Sequence, residues 1–169
     1  TTPVSHSFIE LYNFRNDDLN LKGVYLWYRA KAGTWESLPL KGIVPAKHSF
    51  LIRCGKHQDF YADGVRCNIT DYDMSWDKKL VNKGFSVYLC IGADTPEDNP
   101  TRQTKDALGN VTATNGRYID LLGCGGKNAD ETVVAYETRY LHCMDKNTAV
   151  HRVDYANASL DSTKNIGSN

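Results

Sequence analysis

The side chains that could carry out chemistry in this chain are few and scattered. A nucleophile with a nearby base would require Cys54 with His57, or a serine beside a histidine as at positions 6–7 and 48–49. Neither serine lies in the G-x-S-x-G turn that exposes a catalytic hydroxyl. Proximity in a loop does not by itself lower the pKa of a thiol. The sequence therefore predicts no enzyme, and a hydrolase is the least favoured function class.

Acidic side chains offer little more. Glu10 and Asp120 fall on predicted strands, but paired carboxylates act in a cleft, and no cleft is indicated. Asp71, Asp73 and Asp77 lie close together in the sequence. A calcium-binding EF-hand loop also needs a Gly at its sixth position and a Glu at its twelfth, and both are missing here. We expect a solvated loop, and we predict no metal and no cofactor.

A basic and aromatic cluster gives the nucleic-acid hypothesis. Lys78, Lys79 and Lys83 flank Trp76, and exposed aromatic rings in a basic groove can stack on single-stranded nucleic acid. Against this, the 20 basic and 20 acidic side chains of the whole chain cancel, whereas duplex-binding proteins usually carry a basic excess. Nucleic-acid binding therefore stays the alternative rather than the preferred function.

A second candidate surface is the ribbon that carries Trp27, Trp35 and Pro39. Pro39 has no N–H to donate, so the strand that contains it is predicted at a sheet edge. Edge strands can pair with a strand of another protein, and tryptophan is enriched at interfaces. The opposing interpretation is that these rings fill the core. We favour contact with other protein subunits.

Five cysteines are present, with no C-x-x-C spacing between them. Their preferred interpretation is a set of small apolar residues, all reduced, in a reducing compartment. Two disulfides and one free thiol are the alternative, and sequence cannot choose the pairing. The cysteines are Cys54, Cys67, Cys90, Cys124 and Cys143.

The elements that must position these residues are strands. Alternating or continuous apolar runs, separated by turn residues, predict strands over 7–12, 24–28, 34–40, 48–54, 83–91, 117–122 and 148–153, with a shorter candidate near 67–70. A short helix is predicted within 130–143, and the glycines of 123–126 suggest a bend or bulge. Many short strands without strand–helix alternation indicate an all-β, antiparallel sandwich.

Two long segments interrupt this pattern. We predict one domain over 1–169, with a core over 7–153 and a polar tail over 154–169. The insertions cover about 55–81 and 92–116; the second is expected as a long loop or a hairpin arm with its tip near 109–110. Loops of this length usually carry function. The polar ends of the chain also suggest a module of a longer protein or a mature product.

Several stretches together resemble the lamin-tail domain, an immunoglobulin-like β-sandwich, in its bacterial or viral form rather than in nuclear lamins. The resemblance rests on FIELYN, DLNLKGVYL, LPLKGIVPAKHSFLI, YIDLLGCGG and VHRVDYANASLD, which begin at residues 8, 18, 38, 118 and 150. These stretches span most of the chain. The two long insertions have no counterpart in the family's minimal pattern.

The resemblance implies a non-catalytic structural or attachment module that contacts protein subunits or neighbouring domains within a larger assembly. A virion, such as a phage, or a bacterial cell surface is favoured over the nucleus. The alternative is an accessory nucleic-acid-binding domain of a nuclease or of a nucleoid or filament protein. No apolar run reaches the roughly 18 residues of a membrane-spanning helix.

Overall fold

The prediction of an all-β chain is confirmed by a computed structural model. It describes residues 4–31, 33–57, 67–81, 84–96, 103–105, 107–108, 111–114, 117–125, 135, 141–142, 150–152 and 166–168. Strands and no helix occur among them. In chain order they are β1 (His6–Tyr12), β2 (Leu19–Asn20), β3 (Val24–Ala30), β4 (Glu36–Pro39), β5 (Ile43–Val44), β6 (Ser49–Lys56), β7 (Met74–Ser75), β8 (Phe85–Ile91), β9 (Gln103–Lys105), β10 (Val111–Thr114), β11 (Tyr118–Gly125), β12 (Leu141–His142), β13 (Val150–Arg152) and β14 (Ile166–Ser168).

The strands are distributed over two compact units. The first takes its described residues from Thr1–Lys22 and Lys41–Val81, and the second from Gly23–Leu40, Asn82–Met144 and Thr148–Asn169. Their sheets are mostly antiparallel, which is the make-up of a β-sandwich protein. The single-domain prediction over 1–169 stays a prediction.

The first unit is built on a three-stranded sheet in the order β1-β6-β7, with β2 and β5 forming a small second sheet. Along the β1–β6 ladder Ile9 lies opposite Ile52 and Leu11 opposite Phe50. These four residues share one face because antiparallel partners project to the same side. Ile52 and Phe50 are buried, whereas Ile9 and Leu11 on the edge strand are only half-buried.

A buried asparagine closes the turn that follows β1. The Asn13 amide donates to the carbonyl oxygens of Asp17 (2.9 Å), Val44 (3.0 Å) and Pro45 (3.1 Å), and its Oδ1 accepts the Arg15 N–H at 3.1 Å. These bonds stabilise a polar turn, since an Asn side chain bonded to the backbone two residues on replaces a backbone hydrogen bond. It also ties β1 to the chain after β5.

The second unit is built on a five-stranded sheet in the order β12-β11-β8-β3-β4. Gly23, with φ of 83°, makes the bend into β3, and its carbonyl accepts the Gly92 N–H at 2.9 Å. Pro39 lies on β4 at the edge of the sheet, as predicted. The continuous apolar run of β3 is buried on both sides, with Leu26 and Trp27 on opposite faces.

Strand β8 alternates, and its Ser86 side is the more buried one. Val87 and Leu89 are half-buried, whereas Ser86 and Tyr88 are buried. The reason lies at Ser86: its hydroxyl donates to the Ala135 carbonyl at 2.6 Å and accepts the Ala135 N–H at 2.9 Å. A fully bonded hydroxyl can be buried at little cost, so the Ser86 side is covered by Ala135.

The segment after β8 contains the predicted arm. Strands β9 and β10 pair antiparallel with each other, and with no other strand in the part of the chain that the structure describes. Leu108, in the turn between them, is 87% exposed. At the base, the Arg117 guanidinium forms an ion pair with Asp94, and the Ile91 N–H donates to the Arg117 carbonyl. Of the two forms expected for this insertion, the hairpin is therefore present.

Other predictions for the C-terminal half need correction. The strand that was expected to stop at Leu122 continues through Gly125, because Gly123 and Cys124 remain paired with β8. The region expected to be helical lies mostly outside the described residues, and its Leu141–His142 portion is a strand beside β11. The polar tail contains β14, which pairs with β13.

In the first unit, the shorter strand predicted near 67–70 is reduced to one bridge between Val4 and Cys67.

The expectation of five reduced cysteines is wrong at Cys124. This residue is disulfide-bonded, and its partner lies outside the described residues. Cys54, Cys67 and Cys90 are free thiols. The alternative with two disulfides is also not realised, since three free thiols leave at most one intrachain bridge.

Candidate interaction surfaces

The best sequence candidate for a nucleophile, Cys54, is part of the core. Its side chain is 2% exposed, and burial raises the pKa of the thiol to about 12. Burial has this effect because the charged thiolate is poorly solvated in an apolar environment. Cys54 therefore stays protonated at neutral pH, and its thiol lies 3.7 Å from the Ile52 carbonyl oxygen.

The serine and histidine neighbours hold loops in place. Ser7 Oγ accepts the Leu80 N–H at 3.3 Å and donates to the Gly55 carbonyl at 3.5 Å. The His48 Nδ1 lies 2.8 Å from the Ala46 carbonyl oxygen, which can only accept, so this nitrogen carries a proton. Neither serine is bonded to its neighbouring imidazole in a nucleophile–base arrangement.

A third serine, which the sequence did not single out, does contact an imidazole. Ser5 Oγ lies 2.7 Å from His6 Nδ1, donates to Asn68 Oδ1 at 2.8 Å and accepts the Ile69 N–H at 3.3 Å. Because the hydroxyl proton goes to Asn68, His6 Nδ1 must itself donate, and so it cannot act as a base toward Ser5. Burial, followed by the charge of Arg53, lowers the pKa of His6. This part-buried cluster joins the start of β1 to residues 67–69.

The acidic residues near β7 also act structurally. Asp73 Oδ2 accepts the Leu51 N–H at 2.7 Å, and the Asp73 N–H donates to the Leu51 carbonyl at 3.0 Å. Asp73 thus serves as an edge partner for β6. Across the residues that the structure describes, no group of three or more His, Cys, Asp or Glu side chains is placed to hold a metal ion.

The two predicted interface tryptophans of the second unit belong to its core. Trp27 is 5% exposed and packs with Tyr88, Cys90 and Leu121, while Trp35 is half-buried against the same cluster. The rings of Trp35 and Tyr88 meet edge to face, with centroids 6.4 Å apart. The interpretation that these rings fill the core therefore describes Trp27 fully and Trp35 in part.

The same cluster raises the pKa values of two of its members, Tyr88 and Cys90. Burial is the main reason that the pKa of Tyr88 is raised to about 12, and the neighbouring Cys90 raises it further. Burial also raises the pKa of the Cys90 thiol, although Trp27 and Tyr88 offset part of that effect. Both groups are protonated at neutral pH, so the cluster holds no charged nucleophile.

Pro39 makes the β4 edge a poor template for another strand. The Leu40 N–H donates to the Val24 carbonyl at 2.9 Å, so residues 38 and 36 also direct their backbone groups toward β3, since bonding alternates along an antiparallel ladder. Ser37 and Pro39 then face outward, and proline has no N–H. The Ser37 N–H is then the one outward backbone donor between Glu36 and Leu40. The predicted ribbon edge therefore offers few backbone groups for pairing with another strand.

The basic and aromatic residues lie in the segment that follows β7. The Trp76 N–H donates to the Arg53 carbonyl at 2.9 Å, and the Lys78 carbonyl accepts the Gly55 N–H at 2.8 Å. Trp76 and Lys78 are half-buried, and Lys79 is exposed. Three of the predicted nucleic-acid contacts therefore lie together along β6, while Lys83 lies outside the described residues.

The most exposed aromatic rings among the described residues of the first unit were not singled out from the sequence. Phe8 is 36% exposed, Tyr12 40% and Phe14 57%. Phe8 and Tyr12 project from the side of the β1-β6-β7 sheet opposite to Ile9, with the exposed Glu10 between them. We call this side, which also carries Leu51 and Arg53, the outer face. The period-two alternation of β1 could have identified this side from the sequence, because it places Phe8 and Tyr12 on the face opposite to Ile9 and Leu11.

Arg53 is already engaged on the outer face. Its guanidinium carbon lies 3.8 Å from the centroid of the Tyr72 ring, and its nitrogens donate to the Tyr72 hydroxyl (2.8 Å) and the Ile69 carbonyl (3.3 Å). Cation–π contact and two hydrogen bonds fix this side chain. The charge that stays unengaged beside the rings is the Glu10 carboxylate, for which the described chain provides no ion pair.

Comparison with models of known protein families finds no match for this chain, and a search of curated proteins finds no similar protein. Among the described residues, no helix combines the length and apolar character that a membrane crossing needs.

Proposed function

We propose that this chain is a non-catalytic structural module that attaches to other protein subunits in a larger assembly through the outer face. The observation that supports this proposal is the pair of exposed rings of Phe8 and Tyr12 on that face. Exposed apolar groups with a polar surround are typical of protein-binding surfaces. Aromatic side chains also contribute strongly to interface energy.

The chemistry of the other candidates favours the same proposal. Cys54 is a buried, protonated thiol, and Ser5, Ser7 and His48 are engaged in hydrogen bonds that hold backbone segments. A hydrolytic site would need at least one such group to be activated and accessible. These residues instead stabilise the first unit.

The lamin-tail resemblance, with an immunoglobulin-like strand arrangement, is part of this proposal, as is a virion or bacterial cell-surface setting. The disulfide at Cys124 supports a setting outside the reducing cytosol, because disulfides persist mainly in extracellular compartments and on particle surfaces.

Site-specific photocrosslinking tests the proposal in the cells or particles that contain the protein. A benzoylphenylalanine at Tyr12, which is 40% exposed, should give a discrete protein adduct. The same group at Ile91, which is 53% exposed in the second unit, serves as a control of similar exposure and should not. Equal adducts from both positions, or none from Tyr12, would count against attachment through the outer face.

Nucleic-acid binding is the second candidate, supported by the proximity of Trp76, Lys78 and Lys79 along β6. It predicts retention on DNA that weakens as salt rises, because phosphate contacts release counterions. Charge reversal at Lys78, Lys79 and Lys83 should then abolish retention. Retention that these changes leave unaltered would remove this candidate.

A further inference from the structure

From Phe8 to Tyr12 the outer edge of β1 is unpaired among the described residues; the bridge to Cys67 involves only Val4, which precedes the strand. Sheet order places β1 at the end of β1-β6-β7. Long edge strands with free backbone groups are templates for strand pairing, and proteins usually protect them with proline, charge or a covering loop. β1 is seven residues long and contains no proline. It therefore contrasts with β4, whose edge Pro39 blunts.

The backbone groups that point outward can be identified from the hydrogen bonds of β6. Leu51 exchanges bonds with Asp73, and the Arg53 carbonyl accepts the Trp76 N–H, so both residues are directed toward β7. Their ladder partners on β1 are Glu10 and Phe8. In an antiparallel ladder such non-bonded partners direct their own N–H and C=O groups away from each other. Phe8 and Glu10 thus present two donors and two acceptors at the edge.

Burial indicates that the same edge is incompletely covered. Ile9 and Leu11 belong to the core side of the sheet, but they are half-buried, whereas Ile52 opposite Ile9 is 0% exposed. A strand added beside β1 would cover Ile9 and Leu11 on one face and contact Phe8 on the other. Backbone bonds would supply affinity, and alternate side chains would supply selectivity.

We propose, resting on the proposed attachment function, that β1 binds an extended peptide segment of another protein by strand addition, and that the segment has a basic residue between apolar ones. The basic residue is required by Glu10, whose exposed carboxylate has no ion pair in the described chain. Opposite charges across neighbouring strands attract, and apolar neighbours of Phe8, Ile9 and Leu11 extend the contact.

A second copy of this chain fits the edge less well. Antiparallel pairing of two β1 strands that places Phe8 opposite Tyr12 also places Glu10 opposite Glu10, and like charges in that position repel. A shift of this register by two residues places each Glu10 opposite Phe8, which leaves both carboxylates without a cation. A basic peptide satisfies the charge in either direction.

The test uses the acetylated and amidated peptide Ser-Tyr-Val-Lys-Val-Tyr-Ser with a fluorescent label, titrated with the full chain and followed by anisotropy. We expect saturable binding that is lost when Lys is replaced by Glu in the peptide, or when alternate peptide nitrogens are methylated. Chain variant Glu10→Gln should bind about two- to fivefold more weakly, as expected for one cross-strand ion pair. Glu10→Lys should prefer the Glu peptide.

Glu10→Pro tests the backbone part separately, because it removes an outward N–H and no bond to β6. It should abolish binding while circular dichroism and the melting temperature stay near those of the parent chain. Should it unfold, Phe8→Pro provides the same test one step along the edge. Peptide binding that is unaffected by these proline variants, or absent in the parent chain, overturns the proposal of strand addition.

Failure of strand addition at β1 can be distinguished experimentally from failure of the proposed attachment function. If the group at Tyr12 crosslinks to a protein but no peptide binds, attachment stands and strand addition at β1 is refuted. A dimer of the parent chain in sedimentation that disappears in Glu10→Pro would assign the edge to a second copy, and would overturn the peptide proposal.

Discussion

Replacement of Asn13 tests the polar network that connects β1 to the rest of the first unit. Its side chain is 3% exposed and bonds four backbone groups, those of Arg15, Asp17, Val44 and Pro45. Asn13→Ala removes all four bonds at once. A buried polar group left without a partner costs about 1–3 kcal/mol.

Only the bond to Val44 is fully buried, and water can reach the others. We therefore expect a loss of about 2–4 kcal/mol of unfolding free energy, rather than four full penalties. For a chain of this size that corresponds to a decrease in melting temperature of roughly 5–15 °C. Asn20 provides the control: it is exposed and accepts one backbone N–H from Lys22. Asn20→Ala should lose less than about 1 kcal/mol.

Asn13→Asp adds a pH dependence with a defined sign. The new carboxyl would lie in a buried site facing three carbonyl oxygens, so its pKa in the folded chain should rise above the unfolded value of about 4. A raised folded pKa means that stability is retained at low pH and is lost as pH increases through the folded pKa. The melting temperature of Asn13→Asp, relative to the parent at each pH, should thus fall between pH 4 and pH 7.

Differential scanning calorimetry of the three variants measures these quantities directly. If Asn13→Ala and Asn20→Ala lose equal stability, the buried hydrogen bonds of Asn13 do not stabilise the turn. A flat pH profile for Asn13→Asp would show that the carboxylate finds water or a cation, and would refute the assignment of Asn13 as a buried donor.

Two further predictions concern packing in the first unit. A Cβ on Gly55 would lie 2.7 Å from the Lys79 backbone nitrogen, so Gly55→Ala should destabilise by about 1–3 kcal/mol in chemical denaturation. Gly33→Ala, whose Cβ meets only ordinary contacts, should be near neutral; equal losses would contradict the close approach. At pH 8 a thiol reagent should modify the exposed Cys67 quickly and Cys54 only on unfolding, since burial raises the pKa of Cys54 to about 12. Fast labelling that survives Cys67→Ser would contradict this.

Much of the fold was predictable because strands leave a periodic pattern. The alternation in β1, the apolar run of β3 and the proline of β4 correctly indicated one-sided, two-sided and edge strands. Pairing at long range was not predictable in the same way. Ser86 is a polar residue in an alternating strand, and only contact with Ala135, 49 residues later, reveals why it is buried.

The candidate surfaces show the same limit. Tryptophan was expected at interfaces, yet Trp27 is buried because its strand lies inside a sheet that is covered on both sides. Composition does not report which face of a strand remains open. Conversely, Phe8 and Glu10 became candidates only when hydrogen bonding at Leu51 and Arg53 showed which backbone groups of β1 point outward.

Amide hydrogen exchange along β1, followed by NMR in the free chain, tests the open edge most directly. The N–H groups of Ile9 and Leu11 are directed toward β6 and should exchange slowly, whereas those of Phe8 and Glu10 should exchange much faster under the same conditions. Addition of the basic peptide should slow Phe8 and Glu10 alone. Equal protection of all four amides in the free chain would mean that the edge is already covered, and would contradict the account.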